Sequence, residues 1–279
     1  MPNAAIVIPH YCDHERLARC LEALAPQLEE RVEVVVVDNA SPETPVCNHP
    51  NIRIVVETKK GAANTRNRGV SETTAERIFF LDCDCIPAPN WLEAALTVAE
   101  RADLVGGTLT VFDETPPPRT GAEAFETVFA FNNRRYIERK GFSVTANLLT
   151  TRRVFEAIGG FRHGMSEDLD WCRRATEAGF ALAHDDNLRV AHPTRQDWPE
   201  LMRKWRRLTD EAWGLKGRSG GARAKWVLQA LAMPASALAH LPKVLTHPNL
   251  SASEKRAAAL TLLRLRLVRM GWMLRQAVV

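Results

Sequence analysis

The chain has 279 residues with 37 Lys and Arg against 33 Asp and Glu, a net charge of +4, and 46% hydrophobic content. That is globular composition; it excludes a disordered chain, a collagen-like fibre and a small disulfide-stapled domain. The small net charge hides a split: residues 1–194 hold 21 basic and 28 acidic side chains, whereas residues 195–279 hold 16 and 5. A basic tail of this kind suits an anionic membrane or nucleic acid.

In chain order, Ala4 to Ile8 reads as a buried strand ending at Pro9. Asp13 opens a helix with Leu17, Leu21 and Leu24 on one face, and Pro26 closes it. Val32 to Val37 and Ile52 to Val56 are strands, and Gly61 to Val70 is a Gly/Asn-rich loop leading into a helix. Ile78 to Leu81 is a strand, Trp91 to Arg101 a helix, and Leu104-Val105 the core of another strand. Val111 to Lys140 is irregular, broken by Pro116, Pro117 and Pro118. Thr145 to Thr150 is a strand and Arg152 to Ile158 a short helix closed by Gly159-Gly160. A helix capped by Ser166 runs to Ala178 and stops at Gly179. Strands follow near Phe180 to His184 and Leu188 to Ala191. Trp198 to Leu215 is a basic, Trp-rich helix, broken near Gly217 to Gly221, and the last 60 residues are helical. In the final helix Leu260, Leu263, Leu267, Met270 and Leu274 form an apolar stripe among Arg264, Arg266, Arg269 and Arg275.

Six cysteines without a C-x-x-C pair point to a reducing compartment rather than a zinc site. The N-terminus lacks the pattern of a signal peptide, so a cytoplasmic chain is expected. The longest uncharged apolar stretch, Trp226 to Pro242, has 17 residues and contains Gln229, Pro234 and His240, which disfavours a membrane span.

Strand–helix alternation with continuous apolar strands implies an α/β fold with a mostly parallel sheet flanked by helices. Polar groups follow the carboxyl ends of three strands: Pro9-His10-Tyr11, Asp38-Asn39 and Asp82-Cys83-Asp84. That edge is where open α/β sheets bind ligands. Asp82 and Asp84 can converge on one divalent cation held through a diphosphate, for which oxygen ligands suit Mg²⁺ or Mn²⁺.

The segments IVIPHYCDHERLARCLEAL, VVVVDNAS, GAANTRNRGV and FFLDCDCIPAPNWLEAAL, followed by TANLLTTRRVFEAIGGF and SEDLDWCRRATEAGFAL, resemble in that order the family-2 glycosyltransferases of GT-A fold. The resemblance covers about residues 3–195. It implies a nucleotide-sugar-binding catalytic domain over 1–195, and leaves 196–279 as a basic, Trp/Leu-rich helical region for acceptor or membrane. It implies an inverting, metal-dependent enzyme moving a sugar from a nucleotide-diphosphate donor, UDP-sugar favoured, to an acceptor hydroxyl in surface-glycan or lipid-linked saccharide synthesis. By the same resemblance Pro9, Tyr11, Asp38, Arg66, Asn67 and Asp82 contact the donor nucleotide or orient the metal loop. Asp84 and His192 bind the metal, and Asn147 lies near the donor sugar. Glu167-Asp168 matches the family's acidic pair, with Asp168 the general base that inversion requires. Around Trp205 the chain reads L-M-R-K-W, without the Q-x-x-R-W of processive relatives; Arg203 and its neighbours then meet diphosphate, acceptor or anionic lipid.

Two other classes compete. A nucleotidyltransferase wants a Gly-rich, basic loop after the first strand, and IPHYCDHERL has no glycine. A nucleic-acid-binding module would use Trp198, Trp205, Trp213 and Trp226 for stacking. The regular stripe of the last helix argues instead for packing or for docking on the inner membrane leaflet, so no nucleic acid partner is expected.

Overall fold

The computed structural model describes residues 3–216 and 219–278. Its elements in order are β1 (Ala4–His10), α1 (His14–Leu24), β2 (Val32–Asp38), β3 (Ile52–Val56), α2 (Ala62–Ser71), β4 (Arg77–Leu81), β5 (Ile86–Pro87), α3 (Trp91–Val98), β6 (Leu104–Phe112), α4 (Gly121–Phe129) and α5 (Asn133–Lys140). Then come β7 (Asn147–Thr151), α6 (Arg152–Ile158), α7 (Glu167–Glu177), β8 (Leu182–Pro193), α8 (Trp198–Gly214), α9 (Gly220–Leu231), α10 (Met233–Leu245) and α11 (Ala252–Val278).

The strands form one α/β sheet in the order β3-β2-β1-β4-β7-β6-β8-β5. Its first four strands are parallel; α1 returns the chain from β1 to β2 and α2 from β3 to β4, while a helix-free 39–51 segment joins β2 to β3. From β7 onward the paired strands run antiparallel: β4 with β7, β6 with β7, and β5 with β8. Val34 to Val37 of β2 and Ile6 to Ile8 of β1 are wholly enclosed, as unbroken apolar strands must be when both faces are covered. One face packs Leu17, Leu21 and Leu24 of α1 and Trp91 and Leu92 of α3. The other packs Val70 of α2 and Trp171 and Cys172 of α7.

Five expectations change. Gly61 is not part of a loop of its own; at φ +115° it caps α2, which starts at once. α3 ends at Val98 rather than Arg101. The stretch from Val111 to Lys140 contains two helices, α4 and α5; the prolines stop before Thr120, which caps α4 through a reciprocal pair with Glu123. Ser166 precedes α7 without capping it, because its hydroxyl goes to Asp168 instead. The two strands expected between Phe180 and Ala191 are one, β8.

The chain divides into two compact units. The first runs to Thr110 and resumes over Asn132–His192; the second combines Val111–Phe131 with the chain from Pro193 onward. The helical unit therefore recruits 111–131, a segment that sequence reading leaves in the 1–195 domain. Within it α11 packs against α4, α8, α9 and α10. Its core joins Phe125, Leu201, Val244, Leu262 and Leu265. Gly121 lets α4 approach α11 closely, since a Cβ there would lie 2.5 Å from Thr261 Oγ1. The tryptophans serve this packing: Arg264 lies over Trp198 at 4.0 Å, Arg269 over Trp205 at 4.4 Å, and Trp213 pairs with Trp226. Those ring faces are occupied within the unit rather than open to bases. Among the described residues no helix is long and apolar enough to cross a membrane, and the stretch Trp226 to Pro242 is split between α9 and α10.

Candidate active site

The carboxyl edge of the parallel strands carries a polar wall. Asp38, at the end of β2, is fully buried. Its Oδ1 accepts from His10 Nδ1 at 2.8 Å and from the Ser41 hydroxyl at 2.6 Å, and its Oδ2 accepts from the Ser41 amide at 2.9 Å. Burial alone would raise its pKa, but these hydrogen bonds hold the carboxyl below the usual carboxylate range. The Asp13 amide donates to His10 Nε2, which assigns the ring proton to Nδ1. Ser41 Oγ also accepts from the Cys12 amide. Cys12 and Ala40 sit at φ 53° and 55°, a left-handed conformation that costs each about 1–2 kcal/mol. Strain at two adjacent strand ends, clamped by Asp38 and Ser41, is what a pre-shaped binding edge shows. Pro9 is half-buried in this wall and Tyr11 is 54% exposed. Lys60 Nζ lies 4.2 Å from the Tyr11 ring centre and donates to the carbonyls of Asn39 and Ala40.

Past β4, Asp82 and Asp84 diverge. Asp82 Oδ1 accepts from Arg66 Nη2 at 2.6 Å, while Arg66 Nη1 donates to Glu167 Oε1 at 3.0 Å. Arg66 is only 4% exposed, so it is an internal bridge rather than a surface residue of α2. Burial opposes its charge, but Asp82, Glu167 and Asp168 overcome this and raise its pKa. Asp84 Oδ2 lies 3.2 Å from His192 Nε2. The β5–β8 pairing, with Ile86 opposite Ala191, brings these two groups together.

Adjacent ligands of an octahedral ion of the Mg²⁺ or Mn²⁺ class lie about 3 Å apart, so this carboxylate and imidazole suit two neighbouring positions on one ion. Among the described residues no third His, Cys, Asp or Glu joins a metal-binding group. Such an ion would take its remaining ligands from diphosphate oxygens and water.

At the start of α7, Asp168 Oδ1 accepts from the Ser166 hydroxyl at 2.9 Å and from the Leu169 amide at 2.7 Å. Its Oδ2 has no hydrogen-bond partner among the described residues. Burial and the neighbouring Glu167 raise its pKa against the pull of those two donors and of Arg66. A half-buried carboxylate with one oxygen fixed and the other open is suited to take a proton. Asp170 is turned aside, bonded to Arg174.

Three of the residues nominated from the sequence have other surroundings. Asn67 donates to the Phe161 carbonyl and accepts from its amide, both at 2.8 Å, clasping the Gly159-Gly160-Phe161 turn. Asn147, opposite Leu81 in the sheet, is fully buried; it accepts from Trp91 Nε1 and donates to the Leu188 and Thr108 carbonyls. It is a satisfied core amide. Arg203 is exposed on α8 of the helical unit, paired with Glu200 at 3.7 Å. Beside it, Lys204 is buried against Glu126, and burial pushes its pKa down to about 8. Sequence reasoning placed His10 and Asn39 at the strand edge without a role of their own, and gave none to Ser41 or Lys60. The D-N-A-S run and the Lys59-Lys60-Gly61 sequence carried the signal, since Asn39 Oδ1 accepts the Gly61 amide and Asn39 Nδ2 holds the carbonyls of Glu57 and Lys59.

The Glycosyl transferase family 2 sequence model matches residues 5–165, which include both loop aspartates and stop short of Glu167. Glycosyltransferase AglE of Haloferax volcanii is 29% identical over 218 residues, 73% of this chain and 71% of that protein. The pre-mycofactocin glycosyltransferase of Mycobacterium tuberculosis is 26% identical over 274 residues, and the chain spans only 55% of its length. Among solved structures, the mannosyltransferase PcManGT from Pyrobaculum calidifontis, in complex with GDP-Man and Mn²⁺, has the same fold, with a TM-score of 0.52 at 16% identity over 99% of this chain and 73% of that one. The strand-end wall, the paired loop aspartates and these matches agree: the chain belongs to glycosyl transferase family 2 and is a glycosyltransferase.

Proposed function

We propose that the protein transfers a sugar from a nucleotide-diphosphate donor to an acceptor hydroxyl with inversion, Asp168 acting as general base. The observation that carries this is the asymmetric Asp168 carboxylate: Oδ1 is locked by Ser166 and Leu169, Oδ2 is open, and its pKa is raised. The β1–β2 wall, with Tyr11, Lys60 and the Asp38–Ser41 clamp, receives the nucleotide. Arg66 fixes the metal loop and the start of α7 through one guanidinium, so Asp82 and Glu167 act as orienting partners. Asp84 and His192 hold a divalent ion, which when bound stabilises charge on the departing diphosphate. The rest of the work falls to the protein: the Ser166 hydroxyl and the Leu169 amide hold Asp168 Oδ1, and Oδ2 takes the acceptor's proton.

UDP-sugars and GDP-mannose are the first donors to test, the former from the sequence resemblance and the latter from the ligand of the solved relative. Membrane association of the helical unit is part of the same proposal. Leu260, Leu263 and Leu267 share one exposed face of α11, Leu238 and Leu245 another on α10, and basic side chains exceed acidic ones 16 to 5 over 195–279. Exposed leucines among cations suit an anionic bilayer surface.

The test is Asp168→Asn. Transfer should fall by about 10²–10⁴-fold while donor binding is unchanged, with NMR of the wild-type product showing the inverted anomer. Near-normal transfer by this variant, or a retained anomer, would remove Asp168 from the mechanism.

A further inference from the structure

α5, and α7 whose first turn bears Asp168, carry cations that the mechanism above does not use. α5 contains Arg134, Arg135, Arg139 and Lys140 and a single acid, Glu138. Arg134 takes that acid and also Asp186. On α7, Arg174 is paired with Asp170, whereas Arg173 is exposed. Among the described residues, Arg135, Arg139, Lys140 and Arg173 have no carboxylate partner. A folded surface with acids available nearby ordinarily distributes them among its cations; here four cations on two helices are left over.

Their position is fixed by packing. Asp168, Cys172 and Thr176 follow at four-residue spacing along one face of α7. Cys172 Sγ reaches the Ser143 carbonyl at 3.6 Å, and Thr176 Oγ1 is 3.9 Å from where a Gly141 Cβ would stand. The C-terminal end of α5 and the 141–143 turn therefore run along the base-bearing face of α7. Phe142 packs into the Trp171–Cys172 core and stacks on Tyr136, with ring centres 5.2 Å apart and planes 6° from parallel. Lys140 Nζ lies 4.8 Å from the Tyr136 centre, held over the ring. Burial and the like charges of Arg135 and Arg173 lower the Lys140 pKa, and the charge on Asp168 is felt at Tyr136. Lys140 thus lies within the field of both Arg135 and Arg173 where the end of α5 packs along α7, an arrangement that a bound anion would relieve.

We propose that the acceptor is an anionic saccharide, whose phosphate or carboxylate is gripped by Arg135, Lys140 and Arg173 while its neutral hydroxyl is presented to Asp168. The Tyr136–Phe142 pair is the apolar floor that fixes the ammonium. This rests on Asp168 marking the acceptor side of the site; donor binding is measured separately so that the two readings fail independently.

The test uses the full chain, titrated by calorimetry with glucose 6-phosphate, glucuronate, glucose and inorganic phosphate. At least one of the two anionic sugars should bind about tenfold or more tightly than both glucose and inorganic phosphate. Which one does so distinguishes a phosphorylated acceptor from a uronate. The triple variant Arg135→Gln, Lys140→Gln, Arg173→Gln should lose this preference, with its melting temperature and its affinity for UDP or GDP with Mn²⁺ as in the wild type. The proposal is overturned if glucose or inorganic phosphate binds as well as the sugar anions, if the preference survives in the triple variant, or if that variant loses nucleotide binding instead. Should the triple variant not fold, Lys140→Gln alone decides the matter by the same ratio. Failure of the wild type to bind any nucleotide diphosphate would count against the proposed donor chemistry and leave the anion preference to be read on its own.

Discussion

Arg66 shows how one side chain organises several. It is the fifth residue of α2, almost fully enclosed, and its two terminal nitrogens join Asp82 of the metal loop to Glu167 of the base helix. Removing it as Arg66→Met leaves two carboxylates facing each other without a cation. Both are partly open to water, so the expected destabilisation is about 2 kcal/mol, below that for a fully enclosed pair. Urea unfolding of variant and wild type measures it; an unchanged midpoint would show that the bridge holds nothing together. Asp168 carries the opposite sign. A carboxyl whose folded pKa is raised favours folding while protonated and opposes it once pH rises above that pKa. At neutral pH, Asp168→Asn should therefore keep or raise the melting temperature while transfer falls by about 10²–10⁴-fold. The acid limb of the wild-type kcat/KM profile should lie above the ordinary aspartate range of about 4; a limb at or below that range would contradict the raised pKa. Of the site residues, Asp82-Cys83-Asp84 was legible as a candidate from its spacing after a strand and Glu167-Asp168 from the family resemblance, and the roles given to both are proposals. Asn67 and Asn147 were not legible, since an amide clasping a backbone turn and an amide facing a ligand have the same sequence appearance.

At the scale of elements, β1 to β4 could be read closely because enclosed parallel strands are continuous apolar runs. The segment 111–140 could not: its three prolines mark where helices cannot be, and α4 and α5 start only after Thr120 and Asn132 supply caps. In the last helix the sequence left the apolar stripe to packing or to docking. Leu260, Leu263 and Leu267 form a regular stripe, yet they are 69%, 43% and 44% exposed. The face toward the other helices carries Ala258, Leu262, Leu265 and Met273. Both faces of α11 are rich in leucine, so periodicity alone could not choose between them. Leu262→Ala should cost about 2–5 kcal/mol and Leu260→Ala less than about 0.5 kcal/mol. Thermal unfolding separates the two; equal losses would mean that α11 has been placed in the wrong phase.

Over the whole molecule the net charge of +4 is the sum of an acidic sheet unit and a basic helical one. The acids of the first include the groups proposed for metal, bridge and base. The cations of the second are partly internal, as with Arg269 over Trp205, whose burial lowers its pKa to about 10, and with Lys204 against Glu126. Arg203, Arg206 and Arg207 pair with acids along α8, so the proposed bilayer contact rests on the outward leucines and the cations around them. Flotation with vesicles of phosphatidylglycerol and phosphatidylcholine should carry the protein upward. Leu260→Ser with Leu263→Ser and Leu267→Ser should weaken this at unchanged stability. Equal flotation with pure phosphatidylcholine, or none with either, would leave the exposed leucines without this role.

The central claim is a nucleotide diphosphate held through a divalent ion on Asp84 and His192, beside a base that does not contribute to holding it. Calorimetric titration of UDP and GDP, with Mn²⁺ and with chelator, into wild type, Asp84→Asn and Asp168→Asn tests this most directly. The account predicts Mn²⁺-dependent binding of one nucleotide to the wild type and to Asp168→Asn, and its loss in Asp84→Asn. Binding that is indifferent to Mn²⁺, or equally tight in Asp84→Asn, would contradict it.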